Sequence, residues 1–290
     1  MNLEEKKRYP LKKMYFYLTE GCNLACRHCW ISPKLQDETN VYANFPVELM
    51  KSIVKQAKPL GLDTIKLTGG EPLMHPRIGE ILDFIKEQEL KLNIESNGVL
   101  CTEELAEKIS RCKEPFIAIS VDGANAESHD WVRGIPGSFN ATITAIKYLV
   151  KAGLKPQFIM SIMRHNKEQM EDVVRLAESI GAGSVKFNLI QPTGRGKKIT
   201  ETGESLTIEE LVQLGKWVQH TLAPSTKLNL FYHQPQRFTR WARCLERVAM
   251  AELLVEFLAL WESYPMAYMR FAVLGTTSRN SSSAMPQRMR

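Results

Sequence analysis

The sequence predicts an α/β fold, a parallel sheet wound into an incomplete, TIM-like (βα)6 barrel with a short irregular or helical C-terminal tail. Three observations predict it. Short β-rich runs alternate with stretches of helical spacing six times between residues 14 and 234. Each strand-then-helix unit must return the chain through a crossover helix, which makes neighbouring strands parallel. Residues with chemical character follow strand after strand, the pattern of a barrel's C-terminal rim rather than of one reversal point in an open sheet.

The elements follow in order. MYFYLT (14–19) is the first strand, and Pro46 opens a helix over 47–57 that Gly61 closes. TIKLT (64–68) leads to a helix over 78–88, with Ile78, Ile81, Leu82 and Ile85 on one face and Pro76 before its start. LNIES (92–96) precedes a helix over 103–111 that starts at Thr102, ahead of Glu103 and Glu104. FIAISV (116–121) and QFIMSIM (157–163) are followed by helices over 140–152 and 167–180, which Gly153 and Gly181 stop. SVKFNLI (184–190) leads to a helix over 207–222 opened by Thr207, and LNLFYH (228–233) is a seventh extended run that flanks the barrel. The strands read as nearly continuous apolar runs, as when both faces are covered.

The formal charge of +6 sits at the ends. Residues 1–13 carry five basic and two acidic groups, and residues 237–290 carry eight Arg and four Glu, which leaves the body nearly neutral. No basic groove for nucleic acid is expected. No apolar run approaches membrane-spanning length, and the charged start lacks the apolar stretch of a signal peptide. The expected setting is a reducing cytoplasm, where clustered cysteines read as metal ligands rather than disulfides.

Cys22, Cys26 and Cys29 stand in TEGCNLACRHCW, directly after the first strand, with no fourth cysteine near. Three thiolates and one open position suit a 4Fe–4S cluster with an external ligand on its fourth iron. A zinc site completed by His28 or a distant group, or three unrelated buried cysteines, remain as alternatives. After the second strand come Gly69, Gly70, Glu71 and Pro72. Two glycines let backbone approach a ligand, and the Glu71 carboxylate suits an ammonium group, although the same four residues also make a strand-ending turn.

Together these motifs resemble the radical S-adenosylmethionine (SAM) superfamily, in the subgroup that matures peptides or tetrapyrroles and carries a cysteine-rich SPASM or twitch domain. The resemblance covers about residues 14–235. It continues through Ser96, Asn97 and Gly98, through Ser120 to Gly123, and through Arg133 to Gly137, Ser138 and Phe139. It implies a 4Fe–4S cluster on Cys22, Cys26 and Cys29, with SAM chelating the fourth iron. It places Gly69, Gly70, Glu71 and Pro72 at the methionine amino end, Ser96, Asn97 and Ser120 near the ribose and methionine moiety, and Arg133 at the SAM carboxylate. It implies reductive cleavage of SAM to a 5′-deoxyadenosyl radical that abstracts hydrogen from a peptide or other small substrate. Reduced flavodoxin or ferredoxin would donate the electron. No catalytic side chain beyond these is assigned.

The expected organisation is a basic N-terminal extension (1–13), a core barrel (14–235) and an atypical tail (236–290). Beyond residue 112 only Cys244 remains, too few for auxiliary clusters, and the tail holds Arg but no Lys. A frameshift near residue 236 would account for this. Read from third codon positions, Pro265–Val273 permits Asp-Gly followed by a Cys, as in a SPASM segment. The other reading is a natural short tail with one amphipathic helix from Cys244 to Trp261. Two further functional readings stand beside the enzyme: a non-catalytic iron–sulfur or zinc-binding barrel, and a truncated, inactive fragment.

Overall fold

The structure is a computed structural model that describes residues 10–36 and 41–232. The first part of the N-terminal extension and the whole tail, with Cys244 and both tail readings, lie outside the described residues.

In chain order the elements are β1 (Lys13–Tyr17), β2 (Gly21–Cys22), β3 (Lys34–Leu35), α1 (Val47–Ala57), β4 (Thr64–Thr68), α2 (Ile78–Glu87), β5 (Lys91–Ser96), α3 (Glu103–Ser110) and β6 (Lys113–Ser120). They continue as α4 (Ala126–Arg133), α5 (Ser138–Lys151), β7 (Gln157–Ile162), α6 (Met170–Ile180), β8 (Ser184–Leu189), α7 (Gly196–Glu201), α8 (Ile208–Trp217) and β9 (Asn229–Tyr232). Seven strands form one parallel sheet in the order β1-β4-β5-β6-β7-β8-β9, while β2 pairs with β3 in a second, two-stranded sheet. Every crossover therefore steps to the next strand in the same direction, with no reversal point, as in a barrel. The curl is visible in the electrostatics: Lys186 on β8 feels the charges of Glu95 on β5 and Lys66 on β4, strands that are not its neighbours. The expected (βα)6 arrangement stands, with β9 as the flanking seventh strand.

The helix-facing side of the sheet is the core. Phe16, Ile65, Leu67, Leu92, Ile94, Phe158 and Phe187 pack there with Met50, Val54, Ile81, Leu82 and Ile85 from the helices, all at most 1% exposed. Each such side chain stabilises the fold by about 1.5–3 kcal/mol. The other side differs from the sequence reading of continuous apolar strands. Burial alternates along β1, β5 and β8, and the inward positions Tyr15, Tyr17, Lys66, Glu95, Lys186 and Asn188 are half-buried and polar. Long outward-facing apolar residues masked this alternation, so the runs looked covered on both faces.

Local signals behave as their chemistry demands. The Thr102 side chain accepts from the Leu105 N–H, and Thr207 forms a reciprocal capping box with Glu210. Gly181 closes α6 at φ 92°, a conformation that a side chain would strain. The helix expected over 207–222 ends as α8 at Trp217 and continues as a π-turn over Val218–Leu222. Two helices were not anticipated, α4 and α7. In α4 the buried residues are Ser128, His129, Val132 and Arg133, so no apolar periodicity marks it.

Candidate functional site

The cysteines lie where β1 delivers the chain to the C-terminal rim. Cys22 ends β2, and Cys22, Leu24 and Cys26 form a small apolar cluster of their own, with Cys29, Val99 and Ile135 packed on it. All three are free thiols. Burial pushes the Cys22 thiol up to about 12, against the opposing Leu24 N–H, and burial also raises Cys26, against the pull of Arg133.

Four rim loops close on this segment. From the β4 end, the Gly70 N–H donates to Thr19 O (2.9 Å) and the Glu71 N–H to Gly21 O (2.9 Å). A Cβ on Gly70 would stand 2.0 Å from Gly21 O, so only glycine fits here. Gly69 sits at φ 134° against the Thr19 carbonyl. From the β5 end, the Asn97 side chain donates to Asn23 Oδ1 at 2.7 Å, its Nδ2 stands 4.0 Å from Cys22 Sγ, and its own oxygen accepts from Val99 N. From the α4 end, Arg133 Nη1 donates to Cys26 Sγ at 3.5 Å, and the Gly134 position packs on the Ala25 carbonyl. From the β8 end, Arg195 Nε donates to Cys26 O at 2.7 Å and its N–H to Cys29 O at 2.8 Å.

Glu71 is the tie between two of these loops. One oxygen accepts from Leu73 N (3.0 Å) and Ser96 Oγ (2.7 Å), and the other from Asn97 N (2.8 Å). Burial raises its pKa, while those three donors favour the charged form. Both oxygens are thus engaged by the protein, and Pro72 starts a single 3-10 turn that holds the carboxylate in place. The carbonyls of Gly69 and Gly70 accept no hydrogen bond among the described residues.

Asn125 caps α4. Asp122 is fully buried, with Oδ1 accepting from Ser161 N at 2.7 Å and Oδ2 lying 2.7 Å from Arg133 Nη2. That contact is an ion pair without an aligned hydrogen bond, since Oδ2 has no N–H aimed at it. His28 is held neutral, pushed down to about 4 by burial and the nearby guanidiniums of Arg133 and Arg195, against the pull of Asp122. Ser120 stands apart from this network, half-buried on the inner wall at the end of β6.

The donor set fits an anionic iron–sulfur group. Three thiols share one loop, and buried Arg133 Nε and Arg195 Nη2 beside it lack any acceptor among the described residues. Two guanidiniums with orphaned N–H groups suit the negative charge of a thiolate-bound cluster. Among the described residues no three His, Cys, Asp or Glu side chains converge on a position for one metal ion. Arg195 is a site residue that the sequence motifs do not mark; a charged residue between Gly194 and Gly196, after the β8 strand, is the signal that was available.

Fold and site together define a barrel built around a three-cysteine loop. The family model described as the radical SAM superfamily matches residues 16–180, and the chain belongs to that family. It is 34% identical over 185 residues to an AdoMet-dependent heme synthase of Methanosarcina barkeri, covering 63% of this chain and 52% of that protein. It is 31% identical over 202 residues to the mycofactocin maturase MftC of Mycolicibacterium smegmatis, covering 69% and 50%. The fold matches that of Streptococcus suis SuiB, in a crystal structure bound to its precursor peptide SuiA. The TM-score is 0.63 at 18% identity, over 77% of this chain and 49% of that one. The chain spans about half the length of the curated relatives it matches.

Proposed function

We propose that the chain is the radical-generating barrel of a radical SAM enzyme acting on a peptide or another cofactor-sized substrate. The observation that carries this reading is the enclosure of three free cysteines by four rim loops, with two guanidiniums that each keep one buried nitrogen without an acceptor among the described residues. When bound, the cluster and SAM supply a reductively generated 5′-deoxyadenosyl radical that takes hydrogen from the substrate. The protein's part is to bind, align and exclude water. Cys22, Cys26 and Cys29 would hold the cluster, and the unpaired carbonyls of Gly69 and Gly70 offer acceptors to the SAM ammonium group. Glu71 would act through position, locking the Gly69–Gly70 segment to the Ser96–Asn97 loop rather than meeting the ligand itself. Arg133 keeps one donor for an anionic ligand while Asp122 balances its charge. Ser120 would line the cofactor side of the inner wall.

A heme synthase and a maturase both stand among the relatives, so a tetrapyrrole and a peptide are the two substrate classes the reading carries. A flavodoxin or ferredoxin would supply the electron. Among the described residues no helix is long and apolar enough to cross a membrane. The test is anaerobic reconstitution with iron, sulfide and SAM, followed by assay of 5′-deoxyadenosine under reduction. Release that disappears in Cys26→Ala supports the reading; no release from the wild type, or undiminished release from the variant, refutes it.

A further inference from the structure

The inner wall of the barrel carries charge that the cofactor site does not use. Along β1, β4, β5 and β8 the helix-facing residues are buried, while Tyr15, Lys66, Glu95 and Lys186 face inward and stay half-buried. A barrel whose centre is a packed core fills this layer with branched apolar side chains; here it is polar and reachable by solvent.

The charges there do not balance. Lys66 Nζ is 2.6 Å from Glu95 Oε1, with side chains 19% and 40% exposed, and Lys66 also rests 5.0 Å from the Tyr15 ring centre. Lys186 has no ion-pair or hydrogen-bond partner among the described residues, and burial lowers its pKa despite the Glu95 carboxylate across the barrel. Two ammonium groups and one carboxylate leave one positive charge unanswered. Its place is informative too. Ser120 pairs in register with Ile159, and Ile159 with Lys186, so Lys186 shares a row with Ser120 two strands away. At about 4.8 Å per strand that is roughly 10 Å from the residue assigned to the cofactor side.

The geometry points to a carboxylate-binding subsite at Lys186, with Lys66 facing it, that holds an acidic group of the substrate inside the barrel. This deepens the proposed function by naming a substrate class, and its test needs neither the cluster nor SAM cleavage. Partial burial strengthens a charge-assisted contact over its value on an open surface, and the Lys66–Glu95 pair fixes the opposite wall. The acid would come from a small molecule or from an acidic residue of a peptide.

The experiment is competitive labelling of amines in the full chain with trace acetic anhydride, read residue by residue by mass spectrometry, with exposed Lys147 as internal standard. The probes are glutarate, its neutral diamide, and a capped Ala-Glu-Ala peptide with its Gln counterpart. Severalfold slower labelling of Lys186 with either carboxylate probe, and none with its neutral partner, is the expected result; the probe that protects identifies the source. The Lys186→Gln variant should need about fivefold more probe to protect Lys66, as a single partly exposed ion pair allows. Equal protection by charged and neutral probes, no protection by either, or protection only by SAM itself would each overturn the subsite. A 5′-deoxyadenosine assay on the same preparation reports separately on the radical SAM reading.

Discussion

Gly70→Ala isolates the contact between the cysteine loop and the segment after β4. The added Cβ would lie 2.0 Å from Gly21 O and 2.6 Å from its carbonyl carbon, both backbone atoms that no rotamer change can move. Gly70 is not among the glycines with positive φ, so the perturbation is purely steric. Forcing an atom into packed backbone costs about 1–3 kcal/mol. The shift also strains the Gly70–Thr19 and Glu71–Gly21 hydrogen bonds, each worth about 0.5–1.5 kcal/mol. A combined loss of about 3 kcal/mol lowers Tm by roughly 6–12 °C for a domain of this size. Gly79→Ala is the control. Its Cβ would meet only the Lys108 side chain at 3.8 Å inside helix α2, so it should gain about 0.5–1 kcal/mol in helix propensity. Anaerobic thermal melts of both variants, with bound iron counted after reconstitution, make the comparison. A Gly70→Ala protein that melts within a degree of wild type and binds full iron would refute the packing argument.

The remaining predictions use other parts of the same frame. Asp122→Asn leaves the buried Arg133 guanidinium without its balancing carboxylate and should destabilise by about 3–5 kcal/mol in urea titration. The double variant Asp122→Asn, Arg133→Met should recover part of that loss. Arg195→Met removes a cation that donates to Cys26 O and holds a free buried N–H. A charge-assisted hydrogen bond of about 1.5 kcal/mol corresponds to about a tenfold lower ratio of reduced to oxidised cluster at fixed potential, or ~59 mV for a one-electron couple. Redox titration followed by electron paramagnetic resonance (EPR) reads it, and Arg195→Lys should lie between. Thr207→Ala breaks the capping box of α8 and should lose about 1 kcal/mol, seen as a Tm fall with cluster content unchanged.

The sequence exposed what depends on spacing and hid what depends on partners. C-x3-C-x2-C and the Gly-Gly-Glu-Pro run were legible because their chemistry is local, and the alternation of strands and helices fixed the barrel. Glu71 was read as a ligand for an ammonium group; its three donors come from Leu73, Ser96 and Asn97, two of them on a different strand's loop. Arg133 and Asp122 were read separately, yet they meet as one buried pair across eleven residues of chain. Helix α4 was invisible because Val132 is the one apolar residue on a buried face otherwise made of Ser128, His129 and Arg133, too little for an apolar period. The polar inner wall went unseen because Phe16, Leu67, Ile94 and Phe187 dominate their strands while pointing to the helices.

The radical SAM reading requires that this cysteine loop hold a cluster with an iron open to SAM. EPR of the reconstituted, dithionite-reduced protein with and without SAM tests it most directly. The expected result is a reduced 4Fe–4S signal that changes shape on SAM addition and vanishes in Cys22→Ala, Cys26→Ala and Cys29→Ala. A signal indifferent to SAM, or one that survives loss of any of the three thiols, would contradict it.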